Sequence, residues 1–151
     1  MTLNIVKKHI YDSKVSYFVI APVEIDCDLP FGEEVTLPGS IIVSPNHPGG
    51  YGKNQYCETT ITFREGQKVV IDFLYFNLEA EALCKYDWLE VRDGPSAKSN
   101  LLGGSKLCGI TSPNAMVSTG NTVTLVFKSD HNVVRSGFKI KAELGKIYCT
   151  G

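Results

Sequence analysis

Short apolar runs alternating with polar residues recur along the chain, and no stretch keeps a convincing helical period. Val123, Leu125 and Phe127 alternate with Thr122, Thr124 and Val126, and Phe138, Ile140, Ala142 and Leu144 alternate with Lys139, Lys141 and Glu143. Each pattern predicts a strand with one face buried. Ile41–Val43, Thr59–Phe63 and Trp88–Val91 predict further strands. Val69–Phe76 is almost continuously apolar, broken by Asp72, and predicts a strand covered on both faces. Between the runs lie turn residues: Ser44-Pro45-Asn46-His47-Pro48-Gly49-Gly50, Arg64-Glu65-Gly66-Gln67 as a hairpin connection, and Asp93-Gly94-Pro95 opening a polar loop to Gly104. Many short strands with such punctuation predict an all-β chain folded as an antiparallel β-sandwich. Trp88 is expected in the core, because an indole buries a large area.

The 151 residues suffice for one domain plus tails, and the net charge of −1 points to neither nucleic acid nor an anionic membrane surface. No stretch approaches the roughly 20 apolar residues of a membrane span. Val15–Ala21 is apolar and follows basic residues, but it is short and Asp12 interrupts the basic region. It therefore reads as an extended linker or the tail of a preceding module rather than a signal peptide. Five cysteines, Cys27, Cys57, Cys84, Cys108 and Cys149, are widely spaced and show no Cys-x-x-Cys pair. The first four suit two sequential bridges, although four cysteines allow three connectivities. Disulfides would place the chain in an oxidising, extracellular setting.

Three acids stand at the ends of apolar runs, where no core requires them: Glu79, Asp87 and Asp130. Gathered together they would repel unless a cation joined them. The other titratable residues form no recognisable catalytic set. His9, His47 and His131 lack His-Glu-x-x-His spacing, and no serine lies in a Gly-x-Ser-x-Gly elbow. The chain is expected not to be an enzyme.

Several ordered motifs resemble one family. Gly39-Ser40-Ile41-Ile42-Val43-Ser44-Pro45-Asn46-His47-Pro48 followed by Tyr51 resembles the opening of a CUB domain. Phe76-Asn77-Leu78-Glu79, Cys84-Lys85-Tyr86-Asp87, Leu89-Glu90-Val91-Arg92-Asp93-Gly94, Leu107-Cys108-Gly109, Phe127-Lys128-Ser129-Asp130 and Ser136-Gly137-Phe138 resemble its later segments. The resemblance covers about Cys27 to Leu144. It implies a jelly-roll-like extracellular sandwich with the bridges Cys27–Cys57 and Cys84–Cys108. The expected organisation is an N-terminal extension or linker over 1–26, a CUB domain over 27–145 and a C-terminal tail over 146–151.

The resemblance also implies calcium (Ca2+), held by Glu79, Asp87 and Asp130 with Tyr51 in support. The family pattern after the last acid usually includes Ser and Asn, whereas this chain has His131-Asn132-Val133, which makes Asn132 the candidate outer ligand. Family members often use this edge to bind a Lys or Arg of an extracellular protein partner, implying a binding edge of Tyr51, Glu79, Asp87, Asp130 and His131. Two other roles follow from the family: a non-catalytic accessory domain of a secreted protease, or a glycan-binding, spermadhesin-like module using Lys139 and Lys141. Lys146-Ile147-Tyr148-Cys149 resembles the start of another repeat, implying a tandem CUB neighbour through Cys149.

Overall fold

The computed structural model describes residues 24–26 and 34–146. Among them are nine strands and no helix: β1 (Glu24–Asp26), β2 (Glu34–Val35), β3 (Ser40–Val43), β4 (Tyr56–Thr62), β5 (Val69–Asn77), β6 (Trp88–Arg92), β7 (Met116–Val117), β8 (Thr122–Lys128) and β9 (Gly137–Leu144). They form two sheets, ordered β1-β3-β9-β5-β7 and β2-β4-β8-β6. Most pairings are antiparallel; β1 beside β3 and β2 beside β4 are parallel. The chain is the expected antiparallel β-sandwich.

The core lies between the sheets. Val123, Leu125 and Phe127 of β8 face Phe138, Ile140 and Ala142 of β9 across it, joined by Ile61, Val69, Ile71, Leu89 and Val91. Alternation along β8 and β9 sends every second side chain inward. Only β9 keeps the single buried face that its pattern predicts, because Thr124 and Val126 on the outer face of β8 are buried as well. Phe127 stacks edge-on against Phe138 at 5.5 Å and Tyr51 at 5.2 Å between ring centroids.

Three local expectations are corrected. The Arg64–Gln67 turn forms, with Gln67 N donating to Arg64 O. It is not a hairpin, however, because β4 pairs with β2 and β8 while β5 pairs with β7 and β9. The turn carries the chain over the core from one sheet to the other, and Ile61 before it and Val69 after it both belong to that core. Strand β5 is not covered on both faces. Its register against β9 slips between Phe73 and Tyr75, and Leu74 and Tyr75 are exposed on the outside. Trp88 is buried but lies outside the inter-sheet core, because Leu89 and Val91 take the inward positions of β6. Its ring is covered by the Lys106 ammonium, 4.1 Å from the ring centroid.

Cys84 and Cys108 form a disulfide. Cys57 is disulfide-bonded as well. Cys27 and Cys149 lie outside the described residues, as do most of the expected linker and the end of the tail. No helix among the described residues is long and apolar enough to cross a membrane.

Candidate metal centre

Strand register gathers the acids. Trp88 of β6 lies opposite Lys128 of β8. In an antiparallel pair, the residue before one strand therefore meets the residues just after the other. Asp87 precedes Trp88 and Asp130 follows Lys128 by two, so both fall at one end of the sandwich. In the other sheet Asn77 lies opposite Gly137, and β5 runs out toward Glu79 at this same end. One carboxylate oxygen from each of Glu79, Asp87 and Asp130 lies within 4.8 Å of the others.

The centre of this group is rigid. Asp87 is fully buried, and both its oxygens are engaged: Tyr51 Oη–H donates to Oδ2 at 2.6 Å, and Asp130 N–H donates to Oδ1 at 2.8 Å. Tyr51 also accepts from Glu79 N–H at 3.2 Å, so one phenol fixes two of the three acids. Its own backbone is held by Tyr51 N donating to Arg135 O. Burial first, and then the hydrogen bond to Asp87, pushes the Tyr51 hydroxyl well above its ordinary value, and it stays a protonated donor.

Asp130 is held through Asn54 N donating to its carbonyl, and its Oδ1 accepts from Asn132 N–H at 2.9 Å. Asn132 thus meets the acid through its main chain, and its residue is exposed. His131 is exposed beside it.

Glu79 is different. Its Oε2 is buried without a hydrogen-bond partner. Burial, followed by the charges of Asp87 and Asp130, raises its carboxyl above the usual carboxylate range, with Arg135 offsetting in part. An orphaned buried carboxylate oxygen beside two other acids is costly when nothing balances it. A set made only of hard oxygens suits calcium, which takes six to eight such ligands, far better than a soft metal. The residues therefore fit the ion.

Two serines support the site that the sequence reading did not single out. Ser129 Oγ donates to Gly52 O and accepts from Gln55 N, tying the Tyr51 loop to the end of β8. Ser44 is buried and accepts from Phe138 N. Gly137, at φ +81°, sits directly against Ser44, and any β-carbon there would overlap Ser44 Oγ. In the sequence Ser129 directly precedes Asp130 and Ser44 opens the Pro45-Asn46-His47-Pro48 turn, positions where serine is common in loops.

Away from this end, Lys141 pairs with Glu143 on the outer face of β9, so the lysine row there is partly neutralised.

The family model for the CUB domain matches residues 31–141. Human tolloid-like protein 1 is 36% identical over 116 residues, covering 77% of this chain and 11% of that protein. Human tumor necrosis factor-inducible gene 6 protein is 37% identical over 110 residues, covering 73% of this chain and 39% of that protein. The chain thus spans a small part of the curated relatives it matches. Among solved structures, the MASP-1 CUB2 domain bound to Ca2+ superposes with a TM-score of 0.65 at 27% identity, covering 74% of this chain and 97% of that one. The relatives are secreted or extracellular proteins, and CUB domains are generally non-catalytic modules that mediate protein interactions. With its two-sheet sandwich and the matched span, this chain belongs to the CUB domain family.

Proposed function

We propose that this chain is a calcium-dependent recognition module that captures a Lys or Arg side chain of an extracellular protein through the edge bearing Glu79, Asp87 and Asp130. The observation that carries the reading is the buried, unpartnered Oε2 of Glu79, a residue whose carboxylate is grouped with those of Asp87 and Asp130. The MASP-1 CUB2 domain, which resembles this one in fold, is a calcium-bound structure. Glu79, Asp87 and Asp130 would hold the ion, with Asn132 as an outer ligand and Tyr51 orienting two of the acids. Bound calcium would supply positive charge that offsets the repulsion among the three acids. The carboxylates keep part of their charge, and a partner's cation beside them makes charge-assisted hydrogen bonds in a locally dry setting. His131, exposed beside Asp130, would line the same edge.

We place the module at residues 27–145, with 1–26 as a linker and 146–151 leading toward a neighbouring module joined through Cys149. One relative, zinc metalloproteinase nas-39 of Caenorhabditis elegans, supports an accessory role beside a secreted protease. It is 37% identical over 106 residues, and the chain covers 11% of it. The glycan-binding alternative has less support, because Glu143 pairs with Lys141 in the lysine row.

Calorimetric calcium titration of wild type and Asp130→Ala tests the metal. Heat and thermal stabilisation at millimolar calcium are expected for wild type alone, and their absence in wild type would sink the metal reading. If Asp87→Ala still captures a basic partner at full affinity while calcium binds, the acidic edge is not the recognition surface.

A further inference from the structure

The two most exposed large hydrophobic residues among those described are Ile110, at 76% of its full exposure, and Leu83, at 70%. Leu83 immediately precedes Cys84 and Ile110 follows Cys108 by two, so both flank one disulfide whose Cα atoms are 5.6 Å apart. Chain connectivity holds their Cα atoms within about 17 Å of each other, and Leu83 within about 15 Å of Glu79. Tyr86, also exposed, immediately precedes the buried Asp87.

The segment that carries these side chains is well tied down. Glu81 closes its turn: Glu81 O accepts from Cys84 N, and Glu81 Oε2 accepts from Leu83 N at 2.9 Å and Lys85 N at 3.0 Å. Leu78 N donates to Gly109 O, laying the Ile110 segment alongside the residue before Glu79. Single exposed hydrophobics are ordinary, but three carried by two segments that one disulfide staples together, one of them running from Glu79 to Asp87, can supply the apolar anchor of an interface whose polar contact is the acidic edge. Little ordering entropy remains to be lost there on binding.

We propose that Leu83 and Ile110, with Tyr86, form an apolar shelf that selects partners carrying a bulky aliphatic residue close to the captured Lys or Arg. This rests on the reading of the acidic edge as a cation-capturing site. The negative edge sets the partner's charge, and the shelf sets its neighbour. An extended chain advances about 3.3 Å per residue, so the aliphatic residue falls within about five positions of the basic one. The ligand class is an extended protein segment pairing one cation with one aliphatic side chain.

Surface plasmon resonance of the full chain in calcium tests this with three immobilised glycine/serine peptides: one carrying a single Lys, one carrying Lys with Leu three positions on, and one carrying that Leu alone. The Lys–Leu peptide is expected to bind about tenfold tighter than the Lys peptide, the scale of burying one aliphatic side chain in part. In Leu83→Ser/Ile110→Ser that gain disappears while Lys-peptide binding and calcium binding stay at wild-type level, which also shows that the variant is folded. Equal affinity for the two Lys peptides, or a gain that survives the double substitution, overturns the shelf and leaves the acidic edge standing. Failure of wild type to bind the Lys peptide in calcium overturns the edge reading, and the shelf with it.

Discussion

The hydroxyl of Tyr51 lies 2.6 Å from Asp87 Oδ2, joining two residues 36 positions apart at the buried end of the sandwich. The same oxygen accepts the amide of Glu79. One phenol is therefore the keystone between the loop after β3 and both sides of the acidic turn after β5.

Tyr51→Phe keeps the edge-on contact with Phe127 and removes only that oxygen. Asp87 Oδ2 and the Glu79 amide then lose their partner. The expected cost is about 1–3 kcal/mol, read from urea denaturation without calcium. Calcium affinity is expected to fall severalfold in the same variant by calorimetry. A variant as stable as wild type would mean that water replaces the phenol without loss.

Glu79→Gln is expected to stabilise the calcium-free protein at neutral pH. The folded-state pKa of Glu79 is raised above its ordinary 4.5. Its contribution to stability is therefore fully present below the unfolded value and is lost as pH rises through the folded one. Above that window the wild type carries an ionised, poorly compensated acid, and the glutamine does not. Thermal melts in EGTA across the acidic range should show the wild-type midpoint declining relative to the variant as pH rises. With calcium added, the order should reverse, since only the wild type offers the full acid set. A variant no more stable than wild type in EGTA at pH 7 contradicts the account.

Cys84→Ala/Cys108→Ala opens a bridge spanning 24 residues, for which the chain-entropy model gives roughly 3.5 kcal/mol. The segment it staples joins Glu79 to Asp87. Calcium affinity should therefore fall even at temperatures where the variant remains folded. Stability loss with unchanged affinity would show that Tyr51 and the strand register position the acids unaided.

Gly137→Ala is expected to cost several kcal/mol, or to prevent folding. Two penalties coincide there: a backbone φ of +81° and the overlap with Ser44. Pairing it with Ser44→Gly should recover part of the loss, since the variant then has room for the methyl group although the backbone strain remains. Denaturation of the single and double variants separates the two terms.

Alternation made β8 and β9 readable without a structure, because a period of two picks out the inward set, Val123, Leu125 and Phe127 on one strand and Phe138, Ile140 and Ala142 on the other. It did not show that β8 is covered on its outer face too, where Thr124 and Val126 are buried. The same logic misjudged β5. Eight nearly apolar residues look like a doubly covered strand, yet Leu74 and Tyr75 face outward after a register slip that exists only in the pairing with β9. Arg64–Gln67 shows a related limit. Its turn chemistry is local and legible, whereas the sheet that accepts the next strand is chosen by residues some 70 positions away. Trp88 was legible as buried but not as lying outside the core, since a side chain's face depends on which neighbours its strand acquires.

For the candidate site, sequence alone supplied the acid identities, the tyrosine and the family resemblance that linked them. Those are properties of residue type and order. Tertiary structure decided that Glu79, Asp87 and Asp130 come within 4.8 Å, that Asp87 is fully buried, and that Glu79 keeps an unpartnered oxygen. The reason is register. Trp88 opposite Lys128 and Asn77 opposite Gly137 are pairings over 40 and 60 residues, set by how two sheets share one core and not by any local propensity.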